Sequence, residues 1–181
     1  MKKRSIYFII FLMVFSLNAC IPEERPLLSP TLTMSTLQAT NSQENSDVTI
    51  TLERTICYGS CPAYRITISS NGKVVYEGLK FVMTEGIQES SISQEKITEL
   101  ISEFKQIEFF SLPDYIAHNM TDMPSAILSL SMDGVTKTVK HYFGDRDAPK
   151  ELFLLENKVD IIVNSKQWIG DSAFEILNFS R

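Results

Sequence analysis

An α+β domain is predicted, with an antiparallel β-sheet built from hairpins and two amphipathic helices packed on one face. Three observations carry that prediction. Tyr64, Ile66 and Ile68 alternate with polar residues and run into Asn71-Gly72, a pair suited to positive φ at both central turn residues, ahead of Lys73-Val74-Val75-Tyr76. Ala126, Leu128, Leu130 and Met132 alternate in the same way and run through Asp133-Gly134 into Val135-Thr136-Lys137-Thr138-Val139. Ile97, Leu100, Ile101 and Phe104, and later Leu152, Leu155, Val159, Ile162 and Val163, recur at three and four residues as single apolar stripes. The order is strands, helix, strands, helix, which suits segregated hairpins and not a doubly wound parallel sheet.

The remaining elements follow in order. Val48, Ile50 and Leu52 share one face of a first strand. Segments around Lys80 to Met83 and Gln88 to Ile92 extend the meander. Ser93 supplies an N-cap for the first helix. Phe109, Phe110 and Leu112 approach Pro113, which ends helical possibilities and opens a polar loop. Ser129 and Ser131 mark a solvated sheet face. Asp147 to Pro149 starts the second helix, whose stripe ends before Gly170. No repeat of solenoid period is present, although the hairpin-then-helix unit occurs twice.

Residues 1–19 read as a lipoprotein signal peptide. Lys2, Lys3 and Arg4 form a basic start, Ile6 to Phe15 an apolar core about half the length that crosses a bilayer, and Leu17-Asn18-Ala19-Cys20 resembles the bacterial lipobox. Cys20 is the expected lipidation site, carrying palmitate-class acyl chains whose buried methylenes contribute about 0.8 kcal/mol each. The expected location is the bacterial cell envelope, lipid-anchored on the extracytoplasmic side. Ile21 is not the aspartate that retains some lipoproteins in the inner membrane, so a double-membraned host would send the protein to its outer membrane. Residues 20–46, rich in Pro, Ser, Thr, Asn, Gln and Glu, form a linker that as a flexible coil spans roughly 25–30 Å. Residues 47–181 form a single domain. Without residues 1–19 the chain has 162 residues, with 14 basic against 22 acidic side chains, a formal charge of −8. So acidic a surface argues against nucleic-acid partners, which need basic stripes.

Cys57-Tyr58-Gly59-Ser60-Cys61-Pro62 is the densest chemical cluster, lying between two predicted strands. Exported cysteines usually pair, and with Cys20 lipidated these two remain, so a Cys57–Cys61 disulfide is expected. The rival is a copper or thiol-redox site using Cys57, Cys61 and His141, since the cysteine pair followed by proline superficially resembles Sco-type copper chaperones and thiolates with imidazole suit copper. In those thioredoxin-like proteins the pair leads into a helix, whereas Ala63 to Ile68 alternate as a strand. His141 shares parity with Val139 and Phe143 and reads as a structural histidine, so no metal or other cofactor is assigned.

A second cluster is the loop from Asp114 to Asp122, where Asp114, His118 and Asp122 could approach one cation. A hydrolase would have to assemble Ser60, His118 and Asp122 in space. No His-Glu-x-x-His, EF-hand or phosphate-binding glycine motif is present. Asn178-Phe179-Ser180 matches the glycosylation sequon, which means little in a bacterial lipoprotein. Tyr58, Tyr64 and Arg65 are candidate exposed contacts, joined by His118 and Asp122 as candidate binding residues, since aromatic residues and arginine often anchor interfaces.

Thr55-Ile56-Cys57-Tyr58-Gly59-Ser60-Cys61-Pro62-Ala63-Tyr64, then Asn71-Gly72, Phe109-Phe110-Ser111-Leu112, Thr121-Asp122-Met123-Pro124 and Lys140-His141-Tyr142-Phe143-Gly144, occur in the order found in one family. The chain resembles the bacterial domain-of-unknown-function family 6438 over residues 47–165. Such domains commonly occur in exported proteins, and the resemblance implies no activity, cofactor or functional residue. The expected function is a membrane-tethered, non-enzymatic domain that binds an envelope protein or ligand.

Overall fold

The computed structural model describes residues 47–116 and 122–179. The signal peptide, Cys20, the linker and His118 therefore lie outside the described residues. Seven strands form one sheet: β1 (Thr49–Arg54), β2 (Ala63–Ser69), β3 (Lys73–Lys80), β4 (Gly86–Ser91), β5 (Tyr115–Ile116), β6 (Ser125–Met132) and β7 (Val135–Tyr142), in the order β4-β3-β2-β1-β6-β7-β5. All neighbours run antiparallel except β5, which lies parallel to β7. Among the described residues four helices accompany them, α1 (Gln94–Gln106), α2 (Lys150–Val163), α3 (Lys166–Ile169) and α4 (Asp171–Phe179), with one 3-10 turn at Phe109–Ser111. None of these helices is long and apolar enough to cross a membrane.

Period-two alternation decides which side of the sheet is dry. Leu52 sits between Ile66 and Leu128, Ile50 between Ile68 and Leu130, and Arg54 between Tyr64 and Ala126, all buried. Intervening residues such as Thr51, Thr67 and Ser129 are only partly covered. The buried strand residues form one core cluster with Leu100 and Phe104 of α1 and Leu152, Leu155, Val159 and Val163 of α2.

The two hairpins close differently. Met132 pairs with Val135 across Asp133 (φ +54°) and Gly134 (φ +75°), the two-residue turn with both central residues left-handed. At the first hairpin only Gly72 has positive φ, and its N–H donates to the Ser69 carbonyl at 2.9 Å. The loop is therefore Ser70-Asn71-Gly72, a turn followed by a left-handed glycine, and the Asn71 side chain accepts from the Lys73 N–H at 2.9 Å. A Cβ at position 72 would also collide with the Ile92 carbonyl oxygen.

Two further expectations are corrected. Lys80 to Met83 is not a strand: Lys80 ends β3, and the chain turns through Phe81 at φ +56° before β4 begins at Gly86. The C-terminal part holds three helices where the sequence suggests one. Asn164 at φ +55° stops α2, and the Ser165 N–H reaches back to the Asp160 carbonyl at 3.0 Å, a left-handed cap. The chain then returns to the core, where Trp168 stacks on Tyr76 with centroids 4.8 Å apart and its carbonyl accepts the Thr84 N–H at 2.8 Å.

Candidate functional site

Arg54 ends β1 and faces Tyr64 near the start of β2, so residues 55–62 form a loop standing on that pair. Cys57 and Cys61 are joined by a disulfide, with Cα atoms 5.6 Å apart. Backbone bonds tie the loop to the segment entering β6: the Thr55 N–H donates to the Ser125 carbonyl at 3.0 Å, and the Tyr58 N–H to the Asp122 carbonyl at 3.0 Å. The Ser125 N–H donates in return to Thr55 Oγ1 at 2.8 Å. With its backbone held this way, the Tyr58 side chain is 91 % exposed, beside Ile56 at 57 % and Met123 at 43 %. An exposed aromatic side chain therefore stands on a fixed backbone.

Beneath the loop lies a buried charged network. Arg54 Nη2 donates to Asp160 Oδ2 at 2.9 Å and to Asn157 Oδ1 at 3.0 Å, and Nε reaches Asp160 at 3.3 Å. The Tyr64 hydroxyl and the Ser165 hydroxyl each donate to Asp160 Oδ1 at 2.7 Å. Glu156 lies 3.6 Å from Arg54 Nη1 and accepts from His141 Nδ1 at 2.9 Å. The Phe143 ring covers the guanidinium at 5.3 Å. Among the described residues Arg54 Nη1 has no hydrogen-bond partner, so its ion pair with Glu156 is what balances it.

Burial alone would lower the Arg54 pKa, but attraction from Asp160, with Glu156, outweighs it and raises the value, so the guanidinium stays charged. Burial first and Asp160 second push the Tyr64 hydroxyl well above its ordinary range, leaving it a neutral donor. The network is dry and its charges face one another. It suits clamping the loop base better than acid–base chemistry on a substrate.

The predicted site residues separate into several places. Tyr58 is exposed as expected, and Asp122 is exposed with its carbonyl holding the loop. Tyr64 is not an exposed contact. It is fully buried, because its parity with Ile66 and Ile68 places it on the core face. Arg65 points to the opposite face, paired with Glu53 at 2.8 Å and Glu77 at 3.0 Å on the flanking strands. Hydrogen bonding to Glu53 raises its pKa.

The residues of the copper alternative are otherwise engaged: Cys57 and Cys61 bond to each other, and His141 is buried against Glu156. Among the described residues no three His, Cys, Asp or Glu side chains gather around a metal position. Ser60 is exposed, and its would-be partner His118 is outside the described residues. Asp114 pairs with Lys137. Arg54, Asn157, Glu156, Asp160 and Ser165 join the site although none is a candidate from sequence. Four of these carried a signal, since Arg54 shares parity with Ile50 and Leu52, while Glu156 and Asp160 fall on the Leu152-Val159-Val163 stripe and Asn157 is one residue away.

A family model for a domain of unknown function, DUF6438, matches residues 48–163. The chain belongs to this family. The DUF6438 match runs from the start of β1 to the end of α2, so it contains the disulfide loop, Arg54, Tyr64, His141, Glu156 and Asp160. Ser165 and Trp168, which complete the network and the core in this DUF6438 chain, lie beyond it. No curated protein matches the chain.

Proposed function

We propose that this chain is a lipid-anchored cell-envelope protein whose DUF6438 domain binds a partner protein through the Cys57–Cys61 loop. The observation that carries the reading is Tyr58, 91 % exposed on a loop fastened by a disulfide, by backbone bonds to residues 122–125 and by the charged clamp at its base. A tyrosine whose backbone is already fixed has only two side-chain torsions left to order on binding, and aromatic anchors of this kind contribute about 2 kcal/mol or more at the centre of an interface. Ile56 and Met123 supply an apolar surround, and Asp122 a polar rim. Attachment through Cys20 and the 20–46 linker would present this surface within the envelope.

The test is a photo-crosslinking residue at position 58 in the producing cell, with position 87, itself 66 % exposed on β4, as the control. A discrete adduct at 58 and none of that size at 87 supports the reading. Equal labelling at both positions, or none at 58, contradicts it.

A further inference from the structure

Helix α2 buries two carboxylates among its apolar core residues and also carries apolar residues on its outer face. Glu156 and Asp160 face the core, while Leu154 (53 % exposed) and Ile161 (57 % exposed) face outward with Lys158 between them. Residues at i, i+4 and i+7 lie on one face, so Leu154 and Ile161 are about 10 Å apart along the axis. This outer stripe borders an open groove of about 500 Å³ between α2 and the end of α1, to which Ile107 and the edge of Phe153 contribute. Lys158 is already committed, 2.6 Å from Glu99 and 3.6 Å from Glu103. Glu103 and Glu151 against Lys158 leave the groove lining with one net negative charge.

We propose that this groove docks a cationic amphipathic helix of a partner protein, its apolar residues covering Leu154 and Ile161 and its lysines or arginines meeting Glu103 and Glu151. A partner helix lying along α2 would reach Leu154 and Ile161 with apolar anchors at i and i+7, two of the positions such helices use. Opposite charge selects a basic helix and disfavours a second copy of this acidic chain. The site is separate from the Tyr58 loop and does not depend on it.

The probe is a fluorescent Leu/Lys peptide patterned i, i+3, i+4, i+7, titrated with the full-length protein at about 0.15 M salt to screen long-range attraction. Saturable binding is expected, weakened at least about tenfold by Leu154→Asp with Ile161→Asp. That pair adds negative charge, so unspecific attraction to an acidic protein would instead strengthen binding. Glu103→Lys with Glu151→Lys should weaken binding, whereas Glu85→Lys with Glu175→Lys should not, and Tyr58→Ala should leave it unchanged. Unaltered or tighter binding by the Leu154→Asp/Ile161→Asp protein overturns the proposal. So does a wild-type dimer that these two substitutions convert to monomer in sedimentation, since a second copy would then cover the groove.

Discussion

Replacing Arg54 with methionine keeps most of the side chain's apolar stem and removes its charge. Asp160 then loses both guanidinium contacts, at 2.9 and 3.3 Å, and Glu156 loses the cation 3.6 Å away. Both carboxylates stay dry, with side-chain exposures of 0 and 2 %. Asp160 still accepts from Tyr64 and Ser165, and Glu156 from His141, so the loss is an uncompensated charge and not a complete loss of hydrogen bonds. Breaking a buried pair from one side costs about 3–5 kcal/mol, a large part of the 5–15 kcal/mol typical of a domain. Urea unfolding with the disulfide intact should show the midpoint falling by about 2 M at an ordinary m-value. Asp160→Asn added to Arg54→Met should cost less than the sum of the two single changes, with a coupling of about 0.5–3 kcal/mol. A loss below about 1 kcal/mol for Arg54→Met, or strict additivity, would refute the reasoning that the network is a mutually dependent clamp.

Cys57→Ser with Cys61→Ser should lower unfolding free energy by about 2 kcal/mol, the chain-entropy value for so short a loop, while leaving far-UV circular dichroism unchanged; a loss above about 4 kcal/mol would mean that the core depends on the bridge. Trp168→Ala should cost about 3–5 kcal/mol in denaturant unfolding followed by circular dichroism, because Trp168 is buried and stacked on Tyr76, and a neutral result would remove the C-terminal helices from the core. Tyr64 and Tyr76 both have raised folded pKa values, chiefly through burial and then through Asp160. Unfolded tyrosine ionises near 10 while these stay neutral, so stability present below about pH 10 falls as pH rises further, by up to about 1.4 kcal/mol per pH unit per residue. Melting temperature followed from pH 8 to 11 should drop, less steeply in Tyr64→Phe, and a flat profile would contradict those assignments.

Local pattern made much of the sheet readable. Val48, Ile50 and Leu52, Tyr64 to Ile68 and Ala126 to Met132 each alternate over a face that the fold does bury, and Asp133-Gly134 makes the turn its residues favour. Asn71-Gly72 does not, because Gly72 serves as the left-handed residue after a Ser70-Asn71 turn, a choice set by strand register and by the Ile92 carbonyl beside it. β5 has two residues and exists only because β7 is there to pair with it. The C-terminal helices join the core through Trp168, Ile169 and Leu177, in segments too short for periodicity to flag. At the site, the cysteine pair with Tyr58 inside it was legible because the expected export makes pairing the default. The clamp was not, since Arg54 and Asp160 are 106 residues apart and each alone looks like a polar interruption of an apolar face. Read with its parity, Tyr64 belonged with Ile66 from the start.

In the proposed function the disulfide and the charged clamp together hold the Tyr58 loop in a single conformation ready for a partner. Backbone amide order parameters at residues 56–61 test it most directly. In the oxidised wild type they should lie near 0.85, as in the strands, and fall towards 0.6 in the disulfide-free and Arg54→Met proteins. Values below about 0.6 in the oxidised wild type, or no change in either variant, would contradict it.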